Sequence, residues 1–191
     1  MREKTESYLT TGQFSRLGRG YIQHCGPTAI TNITMTLTAR ATGQLPDDTE
    51  AEMRFKRIIR IGRRPVVYMN TDLFHLLGGT LDRSIPYYLK RSLKAFGMND
   101  CRVSRISRLT LQQLQECINA ECIIYLIMRR HPVYGNHHMV CYGLEHRGPG
   151  TQDLFLRVAD GWSSSPKLLP VSDLRYTRQV LIEYDKGAVK H

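Results

Sequence analysis

An α+β fold follows from the order of two patterns along the chain. Up to about residue 118, apolar residues recur mainly at helical spacing; from Cys122 onward they fall into strand-length runs separated by turn residues. No repeat, low-complexity tract or linker intervenes, so the 191 residues read as one domain, 1–191, with residues 1–20 as an N-terminal arm. Helices first and strands second imply a helical half against an antiparallel sheet half, with a cleft between them.

In the arm, Gly12, Gly18 and Gly20 break any long element, and apolar periodicity is weak. The first long helix is expected to start at Cys25. Gly26-Pro27 precede an apolar series of Ile30, Ile33, Leu37 and Ala41, and Gly43 supplies a stop. Thr31, Thr34 and Thr38 lie on the opposite side. So many β-branched residues lower helix propensity, so packing on both sides must hold this helix, which makes it central.

A second helix is expected after Leu45-Pro46-Asp47. Asp47, Asp48 and Glu50 stand at its front, Phe55, Ile58 and Ile59 form its apolar face, and Arg60, Arg63 and Arg64 close it. That charge order suits the helix dipole, so the arginines need no ligand. The stretch 65–77 carries no readable pattern, and Gly78-Gly79 marks a turn. A third helix is expected from about Ser84 to Phe96, with Ile85, Leu89, Leu93 and Phe96 on one face and Gly97 closing it. Cys101 to Ile106 has strand character. Thr110-Leu111-Gln112-Gln113 is a capping-box pattern that opens a short helix carrying Leu111, Leu114 and Ile118.

The later strands are expected at Cys122–Met128, His137–Gly143, Asp153–Ala159 and Arg178–Tyr184. Pro132, Gly135 and Gly148-Pro149-Gly150 supply turns between the first three.

Composition limits the function classes. No run is long and apolar enough for a bilayer, and the first residues lead into no apolar signal region, so the expectation is a cytoplasmic protein with no membrane partner. Five cysteines, an odd number, argue against a disulfide framework. The net charge of +10 admits an acidic peptide or protein partner. The basic residues are nevertheless scattered, with no dense run or recognition motif, which disfavours nucleic acid.

A cysteine at a helix start sits where unpaired N–H groups and the helix dipole favour a thiolate, the nucleophilic form. Such a nucleophile needs a base, and Asn136-His137-His138-Met139 offers two histidines. On a strand, His137, Met139 and Cys141 face one way and His138, Val140 and Tyr142 the other, so only one imidazole can point at Cys25. Asp160 ends a strand whose Leu154, Leu156 and Val158 should be buried, and either orients a histidine or closes a turn with Gly161. Cys101, Cys117, Cys122 and Cys141 lie in apolar or helical patterns and read as structural. Neither His137 with Cys141 nor Cys117 with Cys122 has the paired close spacing of a structural zinc site, so no metal or cofactor is expected.

Three blocks resemble papain-like cysteine peptidases, the C39-like group above all: His24-Cys25-Gly26-Pro27 at a helix start, Asn136-His137 before an apolar strand ending in Gly143, and Asp160-Gly161-Trp162 after a strand. The resemblance implies a papain-like fold and a cysteine peptidase or related acyl-transfer enzyme acting on a peptide or protein through a thioester. It implies Cys25 as nucleophile, His137 as base and Asp160 as its orienting acid, with Trp162 shielding their hydrogen bond. The six-residue spacing to Gly143 selects His137, and a shift of one residue selects His138 instead. Six positions before the cysteine, where the family carries an oxyanion-hole glutamine, stands Arg19. Gln23, Gln13, Arg19 and the Cys25 N–H all remain open as donors. The alternative expectation is a catalytically inactive C39-like domain that binds peptide in the same cleft.

Overall fold

The computed structural model describes residues 5–17, 23–64, 67–69, 79–107, 109–150 and 153–184. Arg19 and the turn glycine Gly78 lie outside these residues.

The helices are α1 (Thr11–Ser15), α2 (Cys25–Thr42), α3 (Asp48–Arg63), α4 (Ile85–Ala95) and α5 (Leu111–Asn119). The strands are β1 (Tyr68–Met69), β2 (Gly79–Thr80), β3 (Cys101–Ile106), β4 (Ile123–His131), β5 (Gly135–His146), β6 (Leu154–Ala159), β7 (Lys167–Pro170) and β8 (Thr177–Tyr184). Short 3-10 turns occupy Asp82–Ser84 and Val171–Tyr176. The fold is therefore α+β. β1 and β2 form a small ribbon, and the main sheet is antiparallel in the order β3-β8-β4-β5-β6-β7.

Local chemistry sets the helix boundaries as read from the sequence. The Asp47 side chain accepts from the Glu50 N–H to cap α3, and the reciprocal Thr110–Gln113 bonds cap α5. Gly43, at φ 77°, ends α2 in the left-handed conformation that glycine adopts without strain. β7 and the ribbon were not anticipated; β1, β2 and β7 are two to four residues long, too short for alternation to register.

The main sheet lies between two apolar layers. On one face, Ile30, Ile33 and Leu37 of α2 and Phe55, Ile58 and Ile59 of α3 share a core with Tyr125, Ile127, Val140 and Val180. On the other, Leu114 of α5 and Leu174 of the second 3-10 turn cover Leu126, Met139, Cys141 and Leu181. β4 is buried on both faces, which is why its sequence is an unbroken apolar run. The helical and sheet parts are thus joined by a continuous core. α2 lies along the seam between them.

α2 is enclosed all round, from Gly26 through Leu37. Its buried threonines are satisfied internally or across the seam: Thr31 Oγ1 donates to the Pro27 carbonyl at 2.9 Å, and Thr36 Oγ1 donates to the Tyr142 hydroxyl at 3.1 Å. Asn32 fastens the arm. Its Oδ1 accepts from Ser7 Oγ and the Leu9 N–H, and its Nδ2 donates to the Leu9 carbonyl. The arm is anchored further by Arg157 donating to Glu6 at 2.6 Å, and by Thr11 N–H donating to the Gly161 carbonyl at 2.7 Å.

Candidate functional site

The site forms where the start of α2 meets the ends of β4, β5 and β6. His24 is the N-cap residue of α2 but makes no side-chain capping bond. Its Nδ1 meets Thr28 Oγ1 at 3.1 Å and its Nε2 meets Ser15 Oγ at 3.2 Å. The first backbone donors of the helix therefore lack a side-chain cap, and Pro27 contributes no N–H at all. Gly26 is required by close approach: a Cβ there would lie 2.2 Å from Thr80 Oγ1 and 2.8 Å from Thr80 Cβ, so β2 rests directly on the helix start.

Cys25 keeps partial exposure, and the backbone N–H groups of His138, Gly26 and Cys25 itself act on its sulfur. These donors favour the thiolate. Burial outweighs them, with the Asp82 carboxylate adding to its effect, and the thiol is pushed up to about 11. The expected depression of the thiol pKa is thus reversed, because α2 starts inside the protein rather than at its surface. Among the described residues, neither imidazole hydrogen-bonds the sulfur.

The two histidines have separate surroundings. His138 shares the α2 face of the sheet with Val140 and Tyr142, as alternation requires. Its Nδ1 meets the Tyr125 hydroxyl at 3.0 Å and its Nε2 stands 3.8 Å from Asp82 Oδ1. Burial holds its pKa down to about 3, so it is a neutral core histidine at physiological pH. His137, on the other face, reaches round the strand end, where β6 has stopped pairing. Its Nε2 lies 2.5 Å from the Asp160 carbonyl oxygen and therefore carries the proton. Nδ1 is left as the basic nitrogen and has no hydrogen-bond partner among the described residues. Burial also lowers the His137 pKa, with the Asp160 carbonyl and carboxylate opposing it.

Asp160 holds the histidine with its main chain. The expected bond from imidazole to carboxylate is absent, because Oδ1 accepts from the Trp162 and Ser163 N–H groups at 2.9 and 2.8 Å in a tight turn. Oδ2 accepts from the Tyr134 hydroxyl at 3.4 Å. The turn reading of Asp160 describes its carboxylate, and the expected carboxylate–imidazole bond is replaced by one from His137 to the Asp160 main-chain carbonyl.

Two rings flank this contact. Tyr134 stacks nearly parallel to His137 with centroids 5.8 Å apart, and Trp162 contacts both, at 4.8 Å from His137 and 4.9 Å from Tyr134. Trp162 remains half exposed. Tyr134 is held in turn by His131, whose Nδ1 accepts from the Val133 and Tyr134 N–H groups while its Nε2 meets Asp173 Oδ2 at 3.2 Å. Sequence reasoning missed Tyr134, His131 and Asp82. Only the Pro132–Gly135 turn signal hinted at the first two, and Asp82 lay in an unremarkable turn.

Gln23, at φ 47°, is exposed, with its side chain against Gly79 of β2. Gln13 Nε2 donates to Asp48 Oδ1 at 3.1 Å. Among the described residues no group of three or more His, Cys, Asp or Glu side chains could hold a metal ion, and no helix is long and apolar enough to cross a membrane. The Cys122 N–H donates to the Cys117 carbonyl at 2.9 Å. No protein-family model matches the chain, and no curated protein matches it either.

Proposed function

We propose that the chain is a papain-like, C39-like thiol enzyme that cleaves or transfers an acyl group of a peptide or protein. The observation that carries this reading is a helix-start cysteine under the influence of the His138 N–H, one residue along β5 from a His137 whose Nε2 proton is fixed on the Asp160 carbonyl. That leaves Nδ1 free to accept the thiol proton. The Cys25 proton passes to His137 Nδ1 as sulfur attacks the carbonyl carbon. The protonated imidazole then returns the proton to the departing amine, leaving a thioester that water or a second amine resolves. The Cys25 N–H is one donor to the oxyanion, and Gln23, two residues before it in sequence, is the side-chain candidate for a second. Trp162 and Tyr134 fix the imidazole plane and keep water from the Nε2 contact.

A small activated ester, p-nitrophenyl acetate, tests the first half-reaction without a known substrate sequence. An acetyl adduct should map by mass spectrometry to Cys25, vanish in Cys25→Ala, and form on the order of 100-fold more slowly in His137→Ala. Acetylation spread evenly over all five cysteines would remove the reading.

A second reading, a non-catalytic peptide-binding domain in the same fold, is favoured by the neutral thiol, raised to about 11 and bonded to no imidazole. It requires that a peptide bind wild type and Cys25→Ala alike and never be turned over.

A further inference from the structure

We infer that the site takes acidic peptides, which it recognises through a crescent of four arginines beside Cys25. This rests on the acyl-transfer reading, and it names the substrate class. Arg105 of β3, Arg178 of β8 and Arg129 of β4 come from three adjacent strands, and Arg83 belongs to the 3-10 turn that covers their ends. The pairing register puts Arg105 and Arg178 on one face. Arg105 is opposite Val180, and Arg178, two residues before Val180, is opposite Ile127 of the α2-side core. His138 is opposite Ile127 on the next strand. Arg83, Arg105 and Arg178 are exposed, and the Arg129 side chain is 49% exposed.

The crescent is centred on Asp82. Arg129 pairs with its carboxylate, and Arg105 Nη2 donates to its carbonyl at 3.1 Å. That carboxylate, 12% exposed, is the only one in ion-pair contact with any of the four arginines among the described residues. Arg83, Arg105 and Arg178 have no ion-pair partner among the described residues, and Asp82 itself is within electrostatic reach of the Cys25 thiol. Two strand spacings, about 10 Å, separate Arg178 from His138, the length of about three extended residues. A peptide with its reactive carbonyl at Cys25 would set a Glu or Asp side chain about three positions away against Arg178 and Arg83. The thiol decides for peptide over nucleic acid, since it attacks a carbonyl carbon and a phosphodiester has none.

The test measures binding on the full chain carrying Cys25→Ala, so that turnover plays no part. The probes are a fluorescent Glu-Ala decapeptide, its Gln-Ala counterpart and a single-stranded oligonucleotide of equal charge. The Glu peptide should bind on the order of 10-fold or more tightly than the Gln peptide, weaken with salt, and lose that advantage in R83E/R178E. If that pair fails to fold, judged by circular dichroism, R83Q/R178Q serves with a smaller loss expected. Equal binding of the Glu and Gln peptides overturns the inference, as does binding of the oligonucleotide in place of the peptide. A wild-type protein that is never acetylated counts against the acyl-transfer reading alone, since the peptide measurement needs no chemistry.

Discussion

Cys25 stands under opposing influences of similar origin. Backbone N–H groups at the start of α2 and on β5 stabilise a thiolate, while burial and the Asp82 carboxylate destabilise it, and burial wins. At rest the thiol is protonated, and in the reaction proposed above a charged pair would form only as a substrate carbonyl accepts the sulfur. Iodoacetamide labelling of Cys25 should therefore climb steadily from pH 7 to 10 without a plateau, whereas a resting thiolate–imidazolium pair would give a flat profile over that range. His138 supplies a second titration. Its folded pKa of about 3 lies below the ordinary value of 6.5, so the unfolded chain binds its proton first as pH falls. The stability it contributes is complete above pH 6.5 and shrinks on acidification toward 3. Wild type should lose about 2 kcal/mol between pH 6.5 and 5 from this group, and His138→Asn should lose correspondingly less, as read by urea midpoints at the two pH values.

At the scale of elements, the site depends on contacts that hold three short segments against α2. Asn32→Ala removes the partner of Ser7 Oγ, the Leu9 N–H and the Leu9 carbonyl. A loss of about 2–4 kcal/mol is expected, together with faster proteolysis within residues 5–17. Unchanged proteolysis would mean that Glu6 and Thr11 alone anchor the arm. Gly26→Ala drives a methyl group into Thr80, and backbone relief requires β2 to move. A destabilisation of about 1–3 kcal/mol is expected, with most of it recovered by adding Thr80→Gly. Additive losses in the double variant would instead trace the cost to the helix itself.

For the whole molecule, the arm, the helices and both faces of the sheet meet through shared cores and through the Glu6–Arg157 pair across the seam. Unfolding should accordingly be a single cooperative event. Trp162, the one tryptophan, reports on the site turn, so its fluorescence and the far-ultraviolet circular dichroism should share one urea midpoint. An earlier fluorescence transition would show that the Asp160–Ser163 turn melts on its own. Neutralising Glu6 should lower both midpoints together.

Much of the architecture was legible because it is written in local chemistry. The Asp47 and Thr110 caps, the Gly43 stop, the apolar run of β4 and the alternation through β5 each act over a few residues, so the sequence determines them without reference to the rest of the chain. The sequence also determined that His137 and His138 must face opposite ways. Only the tertiary structure decided what those faces meet: Tyr125 and Asp82 for one, and the Asp160 carbonyl with Tyr134 and Trp162 for the other. It also set the Cys25 pKa, because the dielectric around a sulfur depends on which distant segments cover it. No spacing within Cys25-Gly26-Pro27 records that cover.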